Sequence, residues 1–282
     1  MNIKYICPYW GYEGTAAGKF LEEVLLSGYD GIEINLPDDA IFTTELLNGI
    51  KRIKSQTNPD FVFIAQQVLP SASESVAAYT EKMCNKLEYL SSLRPDFINA
   101  HTGKDYFGFD ENCNIIRRAE AIATKTGIPV LHEIHRGRFT FHAKTLLPYL
   151  MVFPDLKLTG DFSHWCTVSE SMLQDQPAIL EAIFPHVKHL HARIGFEQGP
   201  QVNDPFAPEW ESHCEKFIVW WKQVLEIQKT VGNPKMTITP EFGPKPYMPM
   251  MPYTCEPLCD QHVTNHRMKQ LLKTRLAYDE KH

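Results

Sequence analysis

Residues 157–193 read KLTGDFSHWCTVSESMLQDQPAILEAIFPHVKHLHAR, and this stretch decides the architecture. Lys157–Asp161 and Val187–His191 are short apolar runs with polar ends, set one strand–helix unit apart. Working outward, the same unit recurs without sequence similarity. Further strands are predicted at Ile3–Cys7, Gly31–Asn35, Phe61–Gln66, Asp96–His101, Val130–Glu133 and Met236–Glu241, bounded by Gly, Pro, Asn or Asp. Between them, apolar residues recur at helical spacing. Phe20, Leu21, Val24 and Leu25 form one stripe, Tyr79, Met83, Leu87 and Leu90 another, and Ile115, Ile116, Ala119 and Ile122 a third. Trp220, Trp221, Val224 and Leu225 follow, and Val263, Met268, Leu271, Leu272 and Leu276 close the chain. Strand–helix alternation implies parallel strands joined by right-handed crossovers. Eight such units in 282 residues match an α/β fold of the (β/α)8 TIM barrel type, a single domain over 1–282. An open doubly wound sheet would advertise a Gly-rich phosphate turn after its first strand. Here the turn is Cys7-Pro-Tyr-Trp10-Gly-Tyr-Glu-Gly14, whose aromatic residues obstruct such a cradle.

Composition narrows the function. Charged residues are 22% and the net charge is −6, so a nucleic-acid coat or anionic-membrane binder is disfavoured. No apolar run approaches the ~20 residues that span a bilayer. The N-terminus lacks the continuous apolar core of a signal peptide. Seven scattered cysteines cannot all pair, which favours reduced thiols and a cytoplasmic location.

In a barrel the C-terminal strand ends share one mouth, where active sites are built. The fifth strand ends in His132-Glu133-Ile-His135, the sixth in Asp161-Phe-Ser-His164, the seventh in His189-Leu-His191-Ala-Arg193 and the eighth in Pro240-Glu241-Phe-Gly243. Four consecutive strands therefore deliver Glu133, Asp161, His191 and Glu241 to one ring. Taken singly, each is more readily a helix cap or a packed residue. Taken together, three carboxylates in an apolar mouth repel one another unless a cation neutralises them. Three carboxylates with one imidazole suit one divalent metal ion, Mn²⁺, Co²⁺ or Mg²⁺ first, with Zn²⁺ also admissible. His189 and His191 share a face by strand alternation, and His191 is chosen because it lies nearer the mouth.

These residues carry a resemblance. Glu133 after a His-rich strand, Asp161-Phe-Ser-His164, His191-Ala-Arg193, Pro240-Glu241-Phe and Gly28-Tyr-Asp-Gly-Ile-Glu33 resemble the xylose-isomerase-like superfamily, over essentially the whole chain. Its sugar isomerase and epimerase branch includes tagatose and psicose epimerases, hydroxypyruvate isomerase and inosose dehydratase. The resemblance implies that Glu133, Asp161, His191 and Glu241 hold the metal, and that His164 and Arg193 contact substrate hydroxyls or carbonyl. The loop 195–205 and the Pro- and Met-rich stretch 244–257 match no subfamily pattern, and such loops would choose the substrate.

The expected chemistry is isomerisation or epimerisation of a ketose or keto-polyol. A Lewis-acidic ion polarises the carbonyl, Glu133 and Glu241 take and return the α-proton, and an enediolate lies between. Expulsion of a β-hydroxyl instead gives a keto-polyol dehydratase on the same residues. His101 is a candidate substrate contact or second-metal ligand, and Trp10 and Trp165 are candidate stacking surfaces for a sugar, with ordinary packing the plainer reading of both Trp. A rival from another class is a phosphodiesterase similar to endonuclease IV, which also uses strand-end His. That rival expects a His where the third strand ends in Gln66-Gln67, and a basic groove this acidic chain lacks. A third reading, a sugar-binding protein on a barrel that has lost its chemistry, sits poorly with an intact Glu/Asp/His/Glu ring. The partner is then a small-molecule sugar or keto-polyol, with no nucleic acid and no membrane. Barrels of this kind often pair, so a homodimer stays open.

Overall fold

The computed structural model describes residues 1–70 and 72–276; the last part of the expected domain, 277–282, lies outside them. Eight strands close into a parallel barrel in chain order. They are β1 (Asn2–Pro8), β2 (Gly31–Ile34), β3 (Val62–Gln67), β4 (Phe97–Ala100), β5 (Val130–Glu133), β6 (Leu158–Gly160), β7 (Val187–His191) and β8 (Lys235–Thr239). The seam is the β1–β8 pairing, in which Asn2 lies against Lys235 and Tyr5 against Ile238. The predicted strands all exist. Their ends shift by a residue or two, and Asp161 and Glu241 fall just past β6 and β8, in the turns that form the mouth.

Alternation along the strands sorts the side chains. On β3, Val62, Ile64 and Gln66 share the parity that points into the barrel, whereas Phe63 and Ala65 join the core beneath the helices. Ile6, Val62 and Ile64, with Phe97 packed on them, form a separate apolar plug inside the barrel. Above this plug the inward positions turn polar. They are Glu33, Gln66, Asn99, Glu133, Asp161, His189, His191, Thr239 and Glu241. An apolar floor with a polar layer above it excludes water from below and aims the polar groups at the mouth. Gly31 belongs to the tight part of this wall: a Cβ there would sit 2.3 Å from the Val62 carbonyl oxygen.

The outer layer holds α1 (Ala17–Leu26), α2 (Ala40–Gln56), α3 (Val76–Ser92), α4 (Phe109–Thr126), α5 (Ala143–Val152), α6 (Phe162–Ser169), α7 (Pro177–Ile183), α8 (Glu211–Thr230) and α9 (Gln261–Arg275). Several start on side-chain caps: Asp39 accepts from the amides of Ile41 and Phe42, and Ser75 from that of Ala78. The predicted faces are buried with three exceptions, of which Leu271 is half-buried. Leu25 is 36% exposed in the last turn of α1, and Val263 is 55% exposed because α9 turns Thr264, Asn265, Met268 and Leu272 inward instead. The sequence stripe counts Val263 by helical spacing, but five residues separate it from Met268, which carries it off that face. Among the described residues no helix is long and apolar enough to cross a membrane.

Candidate active site

The barrel mouth opens on a cavity of about 520 Å³. Its inner wall carries Glu133, Glu241, Gln66, His101, His135 and Arg193, and its outer wall carries Tyr9, Trp10, Leu36, Pro37 and Tyr247. At the base, one ligand atom from each of Glu133, Asp161, His191 and Glu241 lies within 4.8 Å of the others, and all four residues are buried. The last residue of β5, the turn after β6, the last residue of β7 and the turn after β8 supply them. Each lies where a parallel strand runs out of ladder partners and its side chain leans over the mouth.

The donor set fits a divalent cation. His191 Nδ1 lies 2.9 Å from Glu241 Oε2 and 3.8 Å from Glu133 Oε1. Yet it has no aligned hydrogen-bond partner, although fully buried. Close approach out of line is how neighbouring ligands of one ion sit, and a buried polar atom without a partner is otherwise costly. Burial works against a charged His191, but Glu241, Glu33 and Glu133 outweigh it and hold its imidazolium well above the ordinary range. Burial likewise opposes ionisation of Glu133, and His101 and His191 overcome it, so that carboxyl sits well below its ordinary range. Asp161 is different: burial pushes it up to about 6 despite Arg193. Arg193 pairs directly with Asp161 through Nη2, and Ser163 donates to Asp161 Oδ1 at 2.5 Å.

The other predicted site residues fall around this ring. Arg193 lines the cavity, with Nη1 3.6 Å from Glu241 Oε2. His164 is fully buried against the His135 ring, with Nε2 3.1 Å from Arg193 Nη2. Burial, with His135 and Arg193 beside it, keeps His164 neutral. His101 lines the cavity and lies 3.1 Å from Glu133 Oε2. On its far side Arg138 Nη2 lies 3.3 Å from His101 Nδ1. Guanidinium only donates, so Nδ1 accepts and the ring proton sits on Nε2, which donates to Glu133. Nε2 is then closed to a metal. Although His101, Glu133 and His135 cluster at ligand distances, Arg138 argues against a second ion there.

Trp10 covers the opposite wall, edge-on to Tyr247 with ring centres 4.9 Å apart. Trp165 is not at the mouth. It is fully buried and its Nε1 donates to the Thr140 carbonyl at 2.8 Å, which is packing. In the Met-rich stretch, Met248 is buried and Met251 is 49% exposed.

Sequence reasoning gave no role to Glu33, Gln66 or Asn99. Glu33 is 1% exposed and accepts five hydrogen bonds, from Gln66, Asn99, His191, His189 and Thr239. The signal was present in Gly28-Tyr-Asp-Gly-Ile-Glu33, a charge inside an otherwise apolar strand.

No protein-family model matches the chain, and none of the curated proteins compared matches it in sequence. Solved structures do share its architecture. They include xylose isomerase-like TIM barrel proteins, epimerases, a probable dehydratase and an endonuclease IV. A probable 3-DHS dehydratase, AsbF of Bacillus anthracis, is 16% identical with a TM-score of 0.62, covering 95% of this chain and 98% of its own. The 3-keto-D-glucoside 4-epimerase YcjR of E. coli is 14% identical with a TM-score of 0.60, covering 97% of this chain and 100% of its own. A xylose isomerase-like TIM barrel protein from Mycobacterium smegmatis, solved in complex with magnesium, is 12% identical with a TM-score of 0.61, covering 97% and 98%. At these identities the likeness is one of fold.

Proposed function

We propose that the protein is a divalent-metal-dependent isomerase or epimerase of a ketose or keto-polyol. The observation that carries this reading is the buried Glu133, Asp161, His191 and Glu241 set at the base of the cavity. Those four residues would hold the ion. When bound, a divalent ion supplies Lewis acidity toward a substrate carbonyl and offsets the negative charge that grows as the α-proton leaves.

The chain's own groups do the rest. Glu133 and Glu241 reach the cavity from well-separated strands, so a sugar between them presents one face to each. One carboxylate takes the proton and the other returns it. Return to the same carbon from the opposite face epimerises, and return to the neighbouring carbon isomerises. His101 donates through Nε2 to Glu133 and keeps that carboxylate anionic and aimed. Arg193 contacts substrate oxygens on the Asp161 side from the cavity wall, whereas His164, fully buried and off that wall, stands behind it with Nε2 3.1 Å from Arg193 Nη2. Trp10 and Tyr247 cover the sugar and limit water. Dehydration is the second reading, favoured by the fold shared with AsbF, and it uses the same proton removal with loss of a β-hydroxyl. Phosphodiester hydrolysis at several zinc ions is disfavoured by Arg138, which commits His101 to its Nε2–H form.

The test combines elemental analysis of wild type and Glu241→Gln with exchange of substrate α-protons in heavy water over a ketose and keto-polyol panel. The expected result is one divalent ion per wild-type chain, with exchange lost in the variant. No tightly bound metal and no exchange on any compound would sink the proposal, and three zinc ions would move it to phosphodiester hydrolysis.

A further inference from the structure

The metal ligands come from the β5–β8 half of the barrel, yet the β2–β4 half is equally polar at the same level. Glu33 Oε1 is the common point. His191 Nε2 lies 3.0 Å from it. Asn99 Nδ2 donates to it at 2.9 Å and to Glu133 Oε2 at 2.7 Å. Gln66 Nε2 lies 3.2 Å from Glu33 Oε1 and 3.5 Å from Glu241 Oε1. One carboxylate oxygen is therefore joined to three of the four ligands, once directly and twice through an amide. Asp161, the fourth, is held separately by Arg193 and Ser163.

We infer that Glu33, Asn99 and Gln66 are positioning residues for the metal site, with Glu33 as the hub that orients His191, Glu133 and Glu241 together. This deepens the proposed function and rests on it. The physical case is specific. With Nε2 of His191 donating to Glu33, the nitrogen left for an ion is Nδ1, the atom that faces Glu241 and Glu133. An amide bridging two carboxylates offers one N–H to each, which fixes their spacing without neutralising either. His189 and Thr239 close the other oxygen of Glu33, at 3.1 and 2.5 Å, so the hub cannot rotate away. Glu33 does not line the cavity, so it acts through its neighbours and touches no substrate.

The experiment measures Zn²⁺ and Co²⁺ affinity by chelator competition for wild type, Glu33→Gln and Gln66→Met. It also follows the His191 Nε2–H proton by NMR in the zinc-loaded protein. Glu33→Gln has nearly the same shape, but its amide nitrogen cannot accept, so either the three donors on Oε1 or the two on Oε2 lose their partner. Metal affinity is expected to fall roughly 10–100-fold, the usual cost of disrupting groups behind metal ligands. The Nε2–H resonance should move upfield and exchange faster, which general loosening of the fold would not produce selectively. Gln66→Met, at a half-buried position on the cavity wall, should lower affinity several-fold, and the double variant should show less than the product of the two losses. If Glu33→Gln does not fold, Gln66→Met and Asn99→Leu decide. Variants that bind within twofold of a metal-binding wild type, with the resonance unmoved, overturn this inference alone. A wild type that takes up no divalent ion overturns the proposed function with it.

Discussion

Gly243 shows how a single missing side chain shapes this site. It follows Glu241 by two residues, and the Trp10 indole packs over it so closely that a Cβ would sit 2.1 Å from the Trp10 ring. The backbone is locked as well, because Gln201 accepts from the Gly243 amide at 2.7 Å and donates to its carbonyl at 3.1 Å. Since the backbone cannot give way, Gly243→Ala must swing Trp10 off its place against Tyr247. A small displacement of a positioning wall costs on the order of 10²-fold in rate at most. The expected outcome is a KM raised roughly 10-fold or more with the melting temperature little changed, read in the α-proton exchange assay. An unchanged KM would mean that Trp10 is packing and not a sugar wall. Trp10 was legible as a candidate because it sits in the turn after the first strand. Its dependence on Gly243 was not, because the two lie at opposite ends of the chain.

At the scale of elements, strand ends were the legible feature and helix faces the less secure one. Glu133, Asp161, His191 and Glu241 were each marked by a charge or imidazole ending an apolar run, which survives errors of a residue in strand bounds. Glu33 stands inside such a run, with Ile34 after it, and its partners Gln66 and Asn99 are neutral amides, which carry no distinctive signal on a strand. Helix α9 was misread at Val263 because its inward face is largely polar. Asn265 on that face both accepts from and donates to the Phe242 backbone, at 2.7 and 2.9 Å, pinning the turn after β8. One turn on, Lys269 donates to the Ser27 carbonyl and stands 4.2 Å from the centre of the Tyr29 ring. Burial, reinforced by Lys273, pushes the Lys269 ammonium down to about 8. The sign follows from proton counting. Below pH 8 both states are charged, and between about 8 and the ordinary lysine value the unfolded chain holds the proton that the folded one has released. Wild type should therefore gain stability relative to Lys269→Met as pH rises through that window. Urea midpoints of both proteins at pH 7.5 and 9.5 check this, because the cysteine and tyrosine titrations common to both cancel in the difference. A difference independent of pH would show that Lys269 stays fully charged in place.

For the whole molecule, the ring of ligands makes the barrel's closure and its chemistry the same problem. Strands β5 to β8 and the turns after them bring three carboxylates and one imidazole within 4.8 Å, all buried, and adjacent carboxylates oppose that convergence. Hydrogen bonds from Asn99 and Gln66 and the Arg193 guanidinium beside Asp161 and Glu241 offset part of the repulsion, and a bound ion would offset more. The unfolded chain scatters these ligands from residue 133 to 241, so an ion binds the folded barrel in preference. Binding to the native state alone stabilises it by about 2.7 kcal/mol at a hundredfold excess over the dissociation constant. For a domain of this size that is a rise in melting temperature of roughly 5 °C. Scanning calorimetry with EDTA, and then with Mn²⁺, Co²⁺, Mg²⁺ or Zn²⁺ added back, should show this rise for wild type. Glu241→Gln should respond differently in two ways. Without metal it should melt at or above the wild-type temperature, because one of the repelling carboxylates has become neutral. With metal it should gain far less, because a ligand has been lost. A wild-type melting temperature indifferent to both chelator and metal would remove the reason for gathering four such residues in one buried ring.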